Sequence, residues 1–121
     1  MNQHPDSALA ILQGIDRSSL SSGKEKARYA LLMSQALDKN YIDTTTFDIL
    51  QPAIDYYIDK GTPDEKLTTF YYQGRIYQNK GDEDNAMLSF INAREITGVT
   101  DTLTFAHLLV AQGVLYLRQY K

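Results

Sequence analysis

The stretch that decides the fold is FYYQGRIYQNKGDEDNAMLSFINAREITG, Phe70 to Gly98. Two helical patterns meet at Lys80-Gly81-Asp82, and small and aromatic residues recur at fixed offsets on either side. The first half carries Phe70, Gly74 and Tyr77; the second carries Ala86, Phe90 and Ala93. A glycine lets two helix backbones approach, an alanine on the facing helix leaves room for that approach, and the aromatic rings fill the space beside it. These offsets are packing positions and carry no chemistry.

Outward from this hairpin, punctuation divides the chain into six helical segments and no strand. Thr62-Pro63-Asp64-Glu65 combines a capping threonine, a proline at the first turn and a glutamate three residues after the cap, so a helix starts there and runs to Gly81. Asp82-Glu83-Asp84 complements the positive end of the next helix, which closes near Gly98. Upstream, HPDSALAILQGI places Pro5 at a first helical position. Ser22-x-x-Glu25 is a capping box opening a helix expected to stop at Asn40, a residue that tolerates the left-handed conformation. The segment TFDILQPAIDYYIDKG holds Pro52, which bends that helix or delays its start. A sixth helix runs from about Asp101.

The segments alternate between two types. Ala53, Tyr57 and Lys60 precede Ala86, Phe90 and Ala93 by 33 residues, and Ala8, Leu12 and Ile15 precede the Ala53 set by 45. Gly74 and Tyr77 recur as Gly113 and Tyr116 after 39 residues, and Tyr29 and Asn40 recur as Phe70 and Gly81 after 41. One helix pair cannot bury both faces, so neighbours must stack.

At Phe70, Gly74, Tyr77, Gly81, Ala86, Phe90 and Ala93 the chain resembles the tetratricopeptide repeat family. Gln73 stands where the family usually has leucine, and Gly98 near its expected proline. The best repeat spans about residues 67–100; a degenerate one covers about 26–60, with Met33 and Ala36 at the places of Gly74 and Tyr77; an incomplete one covers about 106–121. The resemblance implies an all-α fold of antiparallel hairpins stacked as a short right-handed superhelix. Its packing positions are Tyr29, Phe70, Gly74, Tyr77, Ala86, Phe90, Ala93, Gly113 and Tyr116. It also implies a concave groove for a peptide or protein partner, lined by Ser34, Leu37 and Asp38, by Thr68, Tyr71, Arg75 and Gln78 with Asn79 nearby, and by His107, Val110 and Arg118. The family's clamp for acidic chaperone tails uses lysines and asparagines on these faces. Here Tyr71 and Arg75 stand in the middle repeat and no lysine, so that ligand is not expected.

The N-terminal stretch also looks like the start of many bacterial envelope proteins with such repeats. That likeness implies a periplasmic or envelope setting in preference to the cytoplasm, and a segment of something longer. Three roles follow as expectations: a binding scaffold, the sensor part of a membrane-tethered regulator, or a self-associating spacer. The sixth helix is apolar around much of its circumference, and Leu109, Val110, Val114, Leu117 and Tyr120 are the expected self-association surface for a homo-oligomer.

Composition excludes several functions. A net charge of -3 gives no footprint for nucleic acid, and the absence of cysteine removes thiol and thiolate chemistry. No apolar run reaches the roughly 20 residues of a membrane span. The two histidines, His4 and His107, are far apart. In GDEDN, Ala86 and Met87 follow where a calcium loop needs glycine and further ligands, and SSLSSGK lacks the order of a phosphate loop. No catalytic residue, metal site or cofactor is expected.

Overall fold

The computed structural model describes residues 5–119. Among these there are six α-helices and no strand: α1 (Pro5–Gln13), α2 (Gly23–Lys39), α3 (Gln51–Lys60), α4 (Pro63–Lys80), α5 (Glu83–Arg94) and α6 (Thr102–Gln119). A single 3₁₀ turn, Arg17–Ser19, separates α1 from α2, with the Asp16 carboxylate accepting from the Ser18 amide and hydroxyl.

Local chemistry sets most helix ends. At α4, Thr62 Oγ1 accepts from the Glu65 amide at 3.2 Å and Glu65 Oε1 accepts from the Thr62 amide at 2.9 Å, a reciprocal cap. At α2 the Ser22 hydroxyl accepts from the Glu25 amide, while the Glu25 carboxylate reaches one residue further back, to the Ser21 amide. Asp82 accepts from the Asn85 amide at α5. For the third helix the delayed start is observed: Pro52 lies in its first turn, and Leu50 precedes it without a side-chain cap.

Two helices end in the same hydrogen-bonded loop. After α4, Gly81 is left-handed (φ 84°), its amide donates to the Gln78 carbonyl, and the Asp82 amide donates to the Tyr77 carbonyl. After α2, the Tyr41 amide donates to Asp38 and the Ile42 amide to Leu37. The left-handed residue there is Tyr41 (φ 60°), not Asn40, whose φ is -97° and whose side-chain amide donates instead to the Ala36 carbonyl. The true register between the two hairpins is therefore 40 residues, not 41. It pairs Leu37 with Tyr77 and Ser34 with Gly74, in place of Ala36 and Met33.

The helices stack as successive layers with three apolar clusters. Leu9 of α1 packs with Tyr29, Met33, Ala36 and Leu37 of α2. Ala27, Ala30 and Leu31 meet Leu50, Ala53 and Tyr57 of α3 and Ile76 of α4. Leu67 and Tyr71 of α4, Ala86, Phe90 and Ala93 of α5, and Leu108 and Leu115 of α6 form the last cluster. Tyr72 touches both of the latter two clusters, and burial pushes its hydroxyl well above the ordinary tyrosine range, with Asp38 adding to the effect.

The α4–α5 contact is the most extensive in the molecule. At its centre a Cβ on Gly74 would lie within 3.0 Å of three carbons of the Phe90 ring, which has no solvent exposure. The ring occupies the space that the missing side chain leaves.

In α6 the expected packing positions are not those used. Gly113 is exposed, with nothing within 4 Å of the place a Cβ would take, and Tyr116 is also exposed. The buried stripe is Leu108 and Leu115, flanked by half-buried Thr104, Phe105, Ala111 and Gln112. The physical reason is that α6 has α5 and α4 on one side only. The face carrying Gly113 points away from both.

One carboxylate joins the last layer to the middle one. Asp64, in the first turn of α4, accepts from the Thr100 amide at 2.8 Å, the Thr100 hydroxyl and the Asp101 amide at 3.0 Å. The Thr100 hydroxyl, then the Asp101 and Thr100 amides, hold the Asp64 carboxyl below the usual carboxylate range. Asp101 in turn caps α6 by accepting from the Thr104 amide and hydroxyl.

Candidate functional site

Helical spacing puts Tyr71, Arg75 and Gln78 at i, i+4 and i+7 on one face of α4. The same spacing puts His107, Val110, Ala111, Val114 and Arg118 on one stripe of α6, beside the buried Leu108 and Leu115. The two stripes face each other across a groove of about 450 Å³, closed at one edge by Asp43 and Asn79. Its α4 wall is polar and its α6 wall is largely apolar.

The α4 wall is fixed by its own contacts. Arg75 Nη1 donates to the Tyr71 hydroxyl at 3.0 Å, with the guanidinium 5.9 Å from the centre of the Tyr71 ring. Arg75 Nη2 lies 3.5 Å from the Asp38 carboxylate of α2. Burial works against the Arg75 charge, but the Tyr71 and Asp38 oxygens more than offset it, and the guanidinium is held even more firmly protonated than usual. Burial likewise raises the Tyr71 hydroxyl, opposed in part by Arg75. Both groups stay protonated through neutral pH, so they are fixed hydrogen-bonding groups and not proton-transfer groups.

The other edges are also tied. Asn79 Nδ2 donates to the Thr44 carbonyl at 3.1 Å, holding the α2–α3 loop that supplies Asp43. His107 lies against Tyr71, with ring centres 6.5 Å apart. Arg118 reaches Glu83 at the start of α5, at 3.1 Å.

Of the candidate groove residues, the structure brings Tyr71, Arg75, Gln78, Asn79, His107, Val110 and Arg118 to this one groove, while Leu37 is buried in the α1–α2 cluster. Ser34 and Asp38 line a separate recess between α2 and α4, with volume for about one water, which meets the groove at Arg75 and Asn79. Thr68 is not part of either surface. It is buried, and its hydroxyl donates to the Asp64 carbonyl one turn back, a common resting place for threonine inside a helix. Tyr71 is both a groove residue and a core residue, since only 4% of it is exposed and it packs with Phe90. Asp43 lines the groove although helical spacing does not single it out, and Ala111 lines it from the same α6 stripe as His107 and Val114. Asp43 arrives through the loop after Tyr41, whose path no sequence periodicity describes.

Of the expected self-association residues, Leu109, Val110, Val114 and Leu117 are exposed on α6, and Tyr120 lies outside the described residues. Val110 and Val114 belong to the groove as well. Among the described residues no group of three histidine, aspartate or glutamate side chains converges as a metal site, and no helix is long and apolar enough to cross a membrane.

Comparison of the chain with models of protein families, with curated proteins and with solved structures finds no match in any of the three.

Proposed function

We propose that this chain is a binding module of the tetratricopeptide type, which holds an extended peptide segment of another protein in the α4–α6 groove and performs no covalent chemistry. The observation that carries this reading is the convergence of the Tyr71-Arg75-Gln78 face with the His107-Val110-Arg118 face on one cleft. The cleft lies within the usual range of ligand sites, roughly 300–1,000 Å³. Arg75, Gln78 and Asn79 offer donors spaced along one wall for backbone carbonyls or a carboxylate, and Val110, Ala111 and Val114 offer apolar contact opposite. Because Tyr71 and Arg75 are already locked together, little side-chain entropy remains to be lost on binding.

A displayed peptide library selected on the purified chain tests the reading. Selected peptides are expected to shift the backbone NMR signals of Gln78, His107 and Val110, and Val110→Asp or Gln78→Ala is expected to weaken binding at least tenfold without changing helicity. Tyr71→Ala is the wrong probe, because it also opens the core. Peptides whose shifts map elsewhere, or whose affinity is unchanged in both variants, would remove the groove from the proposal.

A further inference from the structure

The α4–α6 groove has an uneven charge. Both of its arginines already face a carboxylate: Arg75 that of Asp38 at 3.5 Å, and Arg118 that of Glu83 at 3.1 Å. Asp43 lines the same groove and has no base within ion-pair distance among the described residues. Two guanidinium groups against three carboxylates leave one negative charge, at the Asp43 edge. Asp43, Arg75 and Asn79 also line the water-sized recess between α2 and α4, whose polar lining Ser34, Asp38 and Tyr72 extend. The two donor side chains there each have a partner, Arg75 with Tyr71 and Asp38, and Asn79 with the Thr44 carbonyl. What they leave is rich in acceptors: the Asp43 carboxylate, Oδ2 of Asp38 and the hydroxyl oxygens of Ser34 and Tyr72.

Resting on the peptide-binding reading above, we propose that the segment held in the groove carries a lysine whose ammonium enters this recess, between Asp38 and Asp43, with aliphatic residues on either side of it in sequence. An ammonium is about the size of the water that the recess admits, and it brings three donors and no acceptor. A planar guanidinium is too wide for the same space. Successive side chains of an extended segment point to opposite sides, so a lysine turned to the recess turns its neighbours to Val110, Ala111 and Val114 across the groove. The Asn79 bond to the Thr44 carbonyl fixes the loop that carries Asp43, so the carboxylate is in place before the partner arrives. A wholly acidic segment meets the opposite situation, since both arginines are already neutralised.

Selection of an N-acetylated random peptide library on the purified chain supplies the probes, and acetylation removes the terminal amine as a rival ammonium. Wild type is expected to enrich lysine over both arginine and glutamate, beside valine, leucine or isoleucine. Replacing that lysine by glutamine, or Asp43 by asparagine, is expected to lower affinity about fivefold, and making both changes to lower it little further. Asp43 is exposed, so Asp43→Asn is expected to keep the circular dichroism of wild type. Peptides that shift the NMR signals of Gln78, His107 and Val110 but show no preference for lysine overturn this inference and leave the groove reading standing. So do peptides that bind Asp43→Asn as tightly as wild type, or that accept arginine equally. Peptides whose shifts map away from the groove remove both.

Discussion

Gly74 and Gly113 hold the same place in the repeat pattern, yet alanine is expected to act on them with opposite signs. At Gly74 the new methyl would fall within 3.0 Å of three Phe90 ring carbons, and the ring is fully enclosed. Overpacking of this kind costs about 1–3 kcal/mol, and the enclosure of the ring places it toward the upper end. Replacing a helical glycine by alanine returns about 1 kcal/mol, so the net destabilisation is roughly 1–2 kcal/mol. At Gly113 only the return remains, because the methyl meets nothing within 4 Å. Thermal unfolding followed by circular dichroism measures both, at about 3–6 °C per kcal/mol for a domain of this size. Adding Phe90→Leu to Gly74→Ala is expected to recover part of the loss, with a coupling of about 1 kcal/mol. A Gly74→Ala protein that melts above wild type, or shows no coupling to position 90, would refute the packing account of the central hairpin.

Three further outcomes follow from the geometry. Tyr41→Gly is expected to stabilise by about 1 kcal/mol, because a left-handed residue without Cβ escapes the steric penalty that Tyr41 bears at φ 60°; urea unfolding checks it. Leu115→Ala, at a fully buried site, is expected to cost about 2–5 kcal/mol and to raise hydrogen exchange first in α6, leaving the α2–α3 hairpin protected. The stability advantage of wild type over Asp64→Asn is expected to be present at pH 6 and to shrink as pH falls below the ordinary carboxylate range. The Asp64 carboxyl titrates lower folded than unfolded, so its contribution holds above the ordinary carboxylate value and is lost as pH falls through the folded one. Urea titrations across that acid range measure it, and an advantage that grows as pH falls would contradict the sign.

Much of this architecture was legible because local chemistry and packing agree in the middle of the chain. The Thr62 cap, the Gly81 stop and the Gly74–Phe90 pair each have one reading, and the structure contains all three. Legibility fails where a residue type is replaced by a less expected one. The left-handed position after α2 belongs to Tyr41, and a search for glycine or asparagine settles one residue early, on Asn40. It fails again in α6, where apolar residues surround the helix and the pattern alone does not choose between the Gly113 and the Leu108–Leu115 faces. Only the position of α5 decides. For the groove, helical spacing was enough to place Tyr71, Arg75 and Gln78 together, but Thr68 shares their face and still turns to its own backbone. Asp43 depends on a loop trajectory held by Asn79, a contact spanning 35 residues.

The Asp64 clasp grips α6 at its very start, so the length of the helix is a lever about that point. Along a rod rising about 1.5 Å per residue, His107 stands roughly 9 Å from Asp101 and Arg118 roughly 26 Å. Any small rotation about the clasp therefore moves the Arg118 end almost three times as far as the His107 end. The Arg118–Glu83 contact and the enclosed Leu115 thus act on the longer arm and hold the far end of the cleft.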